Sequence, residues 1–256
     1  MKALKPLLIA LALLCPAVAM AQDFPNKTIR LIVPFPPGGP NDIIARVVGQ
    51  RMAEILKQTI IIDNRAGQGG VLGTDVVAKS APDGYTIGIV SAGALAISPS
   101  MEKVAYDTLK DLQPITLVAK VPEMLVVATS VPASNMKELV ALAKAQPGKL
   151  KPIAVGAMAR VPSAPDVPTT TEAGMPNLQT ENWYGMVAPA NTPPQIVTAL
   201  NKAAVEAMKD AEVVSKLSSQ GAILVGDTPD QFRTFIASET KKWAMVIKEA
   251  GVPVQK

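Results

Sequence analysis

The sequence predicts an α/β fold built on an open sheet, and three observations carry that expectation. Apolar runs of strand length alternate with amphipathic stretches of helical period in the first third of the chain. Clusters of glycine and proline punctuate the junctions between them. Finally, 256 residues of which 48% are hydrophobic suffice to bury a core, as one large domain or two small ones.

The elements follow in order. Ile29-Arg30-Leu31-Ile32-Val33 reads as a buried strand, ended by Pro34-Phe35-Pro36-Pro37-Gly38-Gly39-Pro40. A helix follows with Asn41 as its expected N-cap. Ile43, Ile44, Val47, Val48, Met52, Ile55 and Leu56 form its apolar face. Thr59 to Ile62 is a second strand. The loop Asn64 to Gly70 leads to a short helix from Val71 to Lys79, and the turn Pro82-Asp83-Gly84 precedes a third strand from Tyr85 to Val90. Strands alternating with helices in this way point to a largely parallel sheet.

Further on, Ile115 to Val118, Met124 to Ala128, Ile153 to Val155 and Trp183 to Ala188 read as strands. Ser134 is placed to cap a helix that Pro147-Gly148 stops. Thr169 to Glu172 fits a capping box on a very short helix closed by Gly174. Pro193-Pro194 opens a helix that aligns Ile196, Val197, Leu200, Ala204 and Met208. Thr228-Pro229-Asp230-Gln231 has cap, first-turn proline and third-position glutamine where a terminal helix needs them.

The first residues have the layout of a secretory leader: Lys2 and Lys5, an apolar run from Leu7 to Leu14, then Ala19-Met20-Ala21. Cleavage is expected after Ala21. Interrupted by Pro16, the run is too short to span a membrane. The sequence contains no histidine, and its single cysteine, Cys15, lies in the leader. Histidine-based acid–base and nucleophile systems, most zinc sites and disulfides are thereby excluded. Net charge is +4, with two of the lysines in the leader and no dense basic run, so nucleic acid is not an expected partner.

Chemistry has four candidate places. At Pro34 to Asp42, glycines precede a helix N-terminus, where unpaired N–H groups and a partial positive charge suit an anion. On spacing alone a tight connecting turn is the preferred reading. Ser91-Ala92-Gly93-Ala94 should lie on the same sheet edge, although an ordinary turn fits it too. Gly67-Gln68-Gly69-Gly70-Val71-Leu72-Gly73 comes near a dinucleotide fingerprint, but Leu72 stands where the third glycine belongs and Asp83 falls in a turn. A glycine loop with positive-φ positions is the preferred reading. Trp183-Tyr184 could wall a pocket or pack in the core.

The run Arg30-Leu31-Ile32-Val33-Pro34-Phe35-Pro36-Pro37-Gly38-Gly39-Pro40-Asn41-Asp42 resembles the signature of the Bug proteins, or TctC family, the periplasmic receptors of tripartite tricarboxylate transporters. Asn64-Arg65-Ala66-Gly67, Ala81 to Thr86, Ser163 to Thr169, Trp183-Tyr184-Gly185 and Ala188 to Pro193 extend the resemblance, in order, over the mature chain. It implies a periplasmic-binding-protein-like Venus flytrap of two α/β lobes around a cleft, with no cofactor, no metal and no catalysis. The loop carrying Phe35, Pro36, Gly38, Gly39, Asn41 and Asp42 would grip a ligand carboxylate through backbone groups and ordered waters. Ser91, Ala92 and Gly93 would assist, with Trp183 and Tyr184 as further ligand-binding candidates. Partners would be a small organic carboxylate and the transporter's membrane subunits, with the receptor a monomer.

This sequence departs from the family in one large way. Leu150 runs directly into Lys151-Pro152-Ile153-Ala154-Val155, joining two similar short stretches with several dozen family residues missing between them. The expected organisation is a leader over 1–21, a first lobe over 22–121, a truncated second lobe over 122–188 and C-terminal helices over 189–256 returning to the first. The expected function is capture of a carboxylic acid for transport; the alternative is a remnant that binds no solute or serves only as a sensor.

Overall fold

A computed structural model describes residues 24–125 and 180–255 continuously, and 130–133, 138, 142, 154–155, 159–160 and 165–174 between them. The leader, the Gly148 to Ile153 junction and most of the helix expected after Ser134 lie outside the described residues.

Strand β1 (Ile29–Val33) is apolar at four of its five positions because both its faces are covered, and only Arg30 is not fully buried. It pairs in parallel with β2 (Ile60–Asn64) on one side and β3 (Thr86–Ser91) on the other. Helix α1 (Pro40–Leu56) joins β1 to β2 and buries Ile44, Ala45, Val48 and Met52, the stripe that a 3.6-residue period directs at the sheet. Lys57 in the left-handed region ends it. Helix α2 (Val71–Ala78) joins β2 to β3 across the opposite face.

Beyond β3 the chain makes a π-type turn (Gly93–Ile97) and helix α3 (Ser98–Met101), then enters β4 (Leu112–Pro122). A two-residue strand β5 (Met124–Leu125) pairs antiparallel with β6 (Ala154–Val155) as a separate small sheet. The rest of the strand expected to Ala128 lies outside the described residues. Strand β7 (Glu181–Pro189) returns to the main sheet, followed by α4 (Pro194–Ala207), α5 (Ala211–Ser218), β8 (Ile223–Leu224) and α6 (Pro229–Glu249).

The six-stranded sheet has the order β2-β1-β3-β7-β4-β8. One apolar cluster joins α1, α4 and α5 to one face of the sheet, and a second joins α2, the π-type turn and α6 to the other.

Several expectations need correction. The sheet is mixed: β7 is antiparallel to both β3 and β4, and β8 to β4, so only the β2-β1-β3 edge is parallel. Strand β7 lies in the middle of the main sheet, between β3 and β4. Its wholly apolar run from Trp183 to Pro189 requires cover on both faces, which the main sheet supplies. Helix α5, capped by the Asp210 carboxylate on the N–H groups of Glu212 and Val213, was not expected. At Thr169 and Glu172 the reciprocal capping bonds form, at 3.1 and 2.7 Å, around a turn and not a helix. The capping box of α6 is present as expected.

Candidate functional site

The C-terminal ends of β1, β2 and β3 bring three connections together. The first, Pro34 to Gly39, opens α1. Gly38 has φ +87°, a conformation that L side chains rarely adopt. Gly39, not Asn41, is the N-cap, and Pro40 takes the first helical position, where its fixed φ fits and its missing N–H costs nothing. The Asn41 side chain is buried and reaches across to the Ile89 carbonyl at 3.4 Å, a weak bond between the first connection and β3.

Asp42 organises this loop. Its carboxylate, 2% exposed, accepts from the Gly38 N–H at 2.9 Å, from Arg46 Nε at 2.8 Å and from Asn64 Nδ2 at 3.0 Å. Asn64 Nδ2 also donates to the Phe35 carbonyl at 3.0 Å. The Arg46 guanidinium, ahead of the Gly38 and Asn64 donors, holds the Asp42 carboxyl at about 2 against the opposing effect of burial. The Gly38 N–H and the Asp42 carboxylate therefore satisfy each other and are not free to meet a ligand. What remains at the helix start are the backbone N–H groups of Gly39, Asn41 and Asp42, for which the structure shows no acceptor among the described residues. Sequence reasoning missed Asn64; its place at the end of β2, next to β1 in a parallel pair, was the available signal.

The second connection is the glycine loop, with positive φ at Gly67, Gln68, Gly69 and Gly70 as the glycine-loop reading expected. Gly73 lets α2 cross close above it, since a Cβ there would lie 2.6 Å from the Arg65 carbonyl oxygen and 2.7 Å from Pro34 Cα. Gly70 lies against Phe35, where a Cβ would come within 2.9 Å of the ring. Gln68 ties the loop to the residue that follows α3 through a 2.8 Å bond to Glu102. This loop, rejected as a nucleotide site, thus belongs to the same cluster as the first connection.

The third connection starts at Ser91 and Ala92, both buried. It is not an open turn: Ala92 is already right-handed helical and leads into the π-type turn. A Cβ on Gly93 would lie 3.8 Å from the Gly69 carbonyl oxygen, so the second and third connections are neighbours. The chain leaves β1 over one face of the sheet and β2 over the other, so the topological switch point, where open α/β sheets take their ligands, lies between the ends of β1 and β3.

Trp183 and Tyr184 do not wall one pocket. Adjacent strand residues point to opposite faces, and the two belong to different core clusters. Trp183 is 1% exposed, packs edge-on against Phe232 and Phe235 with centroids 6.0 and 5.2 Å away, and donates its indole N–H to Glu239 at 2.9 Å. The buried Tyr184 accepts at its hydroxyl from Asn182 Nδ2 at 2.9 Å and pairs in register with Ser91, so its backbone borders the third connection. Among the described residues no group of three potential metal-binding side chains occurs, and no helix is long and apolar enough to cross a membrane.

The α/β fold is that of the periplasmic binding proteins, as its solved neighbours show. The family model described as tripartite tricarboxylate transporter family receptor, TctC, matches residues 44–161 and 148–252, and the chain belongs to that family. Protein BugT of Bordetella pertussis is 32% identical over 306 aligned positions, covering 93% of this chain and 94% of BugT. A solved structure described as a periplasmic transporter superposes with a TM-score of 0.81 at 30% identity, over 90% of this chain and 99% of that one. MatC from Rhodopseudomonas palustris, solved with bound malate, superposes with a TM-score of 0.78 at 26% identity, over 88% and 100%.

The alignment with BugT has more positions than this chain has residues, so BugT carries a stretch with no counterpart here. The two TctC matches share residues 148–161.

Proposed function

We propose that this chain is an extracytoplasmic solute-binding protein that captures a small carboxylic acid for a tripartite tricarboxylate-type transporter. It is exported to the periplasm by the leader at 1–21 and acts as a monomer without cofactor or catalysis. One observation carries the reading: at the start of the 17-residue α1, backbone N–H groups without acceptors among the described residues lie where three glycine-bearing connections meet. A carboxylate there gains from the helix macrodipole and from hydrogen bonds worth about 1.5–3 kcal/mol each to a charged group. The pre-formed clamp of Asp42, Arg46 and Asn64 lowers the ordering cost of binding. Malate bound to MatC is consistent with this ligand class.

The shared stretch at 148–161 favours a second reading, a remnant that keeps the first lobe but holds no solute. A flytrap grips its ligand from both lobes, and losing half the polar contacts costs several kcal/mol. At 1.4 kcal/mol per tenfold, a micromolar receptor weakens to roughly millimolar. Calorimetric titration with malate and a panel of di- and tricarboxylates tests both readings, on the chain as it stands and with the family's middle segment inserted between Leu150 and Lys151. The receptor reading expects weak binding by the first and tight binding by the second. Binding by the extended protein alone makes this chain the remnant, and binding by neither refutes the receptor reading.

A further inference from the structure

Asn64 is the last residue of β2 and lies in register with Val33, the last residue of β1. Its side chain meets three partners. One Nδ2 proton goes to the Asp42 carboxylate and the other to the Phe35 carbonyl, both at 3.0 Å, while Oδ1 accepts from Arg46 Nη2 at 3.3 Å. Two oxygens face the amide nitrogen and a cationic donor faces the amide oxygen, so the surroundings fix which way the amide points. An aspartate here would keep the Arg46 bond but set an oxygen against both other oxygens. The bond to Asp42 belongs to the clamp at the start of α1. The bond to Phe35 is separate, because it acts on the backbone of the first connection. Pro34, Pro36, Pro37 and Pro40 leave that connection few ways to turn, and Phe35, preceding a proline, is restricted to extended conformations. Strand β2 lies on one side of β1 and β3 on the other. Asn64 therefore draws the Phe35 carbonyl toward β2 and away from the switch point between β1 and β3. Turned the other way, that oxygen would approach and repel an anion held by the N–H groups at the start of α1. The same residue also carries the ring that lies against Gly70. Phe35 thus meets the second connection at both ends, Asn64 through its carbonyl and Gly70 through its ring.

We propose that Asn64 is a positioning residue of the carboxylate site: its bond to Phe35 keeps the one carbonyl oxygen of that peptide turned away from the anion and holds the first and second connections together. This rests on reading the start of α1 as the binding site. Without the bond, the Asp42 carboxylate keeps Gly38 and Arg46, but the Phe35 peptide is free to rotate and the anion meets an oxygen as well as the backbone donors.

Exchanging the two side chains, Asp42→Asn together with Asn64→Asp, separates this role from the clamp. The amide then at position 42 donates to the carboxylate then at 64, which still accepts from Arg46, and the Gly38 N–H keeps an acceptor. Only the Phe35 carbonyl loses its donor. The double variant is expected to recover most of the melting temperature that Asp42→Asn alone loses, yet to bind malate about tenfold more weakly than the parent. A purely structural role would restore both together. NMR on protein with 13C-carbonyl phenylalanine and 15N proline reads the bond directly, because the labels single out Phe35–Pro36, with Phe24–Pro25 as internal reference. Without ligand, the Phe35 carbonyl signal is expected to shift to lower frequency in the double variant while that of Phe24 stays in place, and titrating malate into the same samples gives the affinities even in the millimolar range. An unmoved Phe35 signal, or an affinity within twofold of the parent in the folded double variant, overturns the proposal. If the double variant does not fold, Asn64→Leu, which donates nothing to Phe35, is held to the same two readouts. If the parent binds no carboxylate, the functional reading fails and the role of Asn64 in it, while the carbonyl signal still decides whether Asn64 holds Phe35.

Discussion

Replacing Asp42 by asparagine removes one negative charge from the centre of the first connection and keeps its shape. The carboxylate is buried and accepts from Gly38, Arg46 and Asn64. In the variant, the amide nitrogen must face one of these donors. The folded-state carboxyl sits at about 2 against an ordinary 3.8. At 1.36 kcal/mol per pKa unit, and discounting for an Arg46 side chain that is half exposed, the charge contributes about 2 kcal/mol. Because the folded pKa is the lower one, this stabilisation is complete above pH 4 and is lost as pH falls from about 4 through 2. Thermal melts at pH 7 should place Asp42→Asn about 4–8 °C below the parent, with the gap narrowing as the pH is lowered from 5 toward 2. Equal melting temperatures at pH 7, or a gap that stays constant down to pH 2, would refute the assignment of Asp42 as the charge that holds the loop.

Other outcomes follow from the same geometry. Gly39→Val should abolish carboxylate binding and leave the fold intact, because φ there is −81° and the nearest atom to a new Cβ is 3.8 Å away; unchanged affinity in calorimetry removes the loop from the site. Gly73→Ala should destabilise by about 1–3 kcal/mol in urea titrations, since its Cβ would meet backbone atoms at 2.6 and 2.7 Å that cannot rotate away. Mass spectrometry of protein recovered from the periplasm should find Gln22 at the N-terminus, and an intact Met1 would contradict export through this leader.

Much of the fold was legible because its signals are local. The apolar run at Ile29–Val33, the stripe of α1 and the Thr228–Gln231 capping box each lie within one or a few turns of chain, where period and side-chain chemistry decide the outcome. The first connection was legible for the same reason, as glycines followed by a helix start. Its N-cap was misplaced by two residues: asparagine is a good cap, but proline at the first helical position fits better when glycine precedes it. The parts of the site that were not legible depend on partners far apart in the chain. Asn64 meets Asp42 across 22 residues, and Asn41 meets Ile89 across 48. No periodicity records such pairs.

By itself the sequence determined the alternation of strands and helices, the glycine-bearing connections and the absence of histidine. Only the tertiary structure decided the antiparallel insertion of β7 between β3 and β4, which sends Trp183 and Tyr184 to opposite cores and away from a shared pocket. It also decided that the glycine loop packs against the first connection and that the Asp42 carboxylate braces that connection internally. The physical reason is that propensity, capping and hydrophobic period act between near neighbours in the chain, whereas strand order and hydrogen-bond partners are settled by which distant surfaces bury each other.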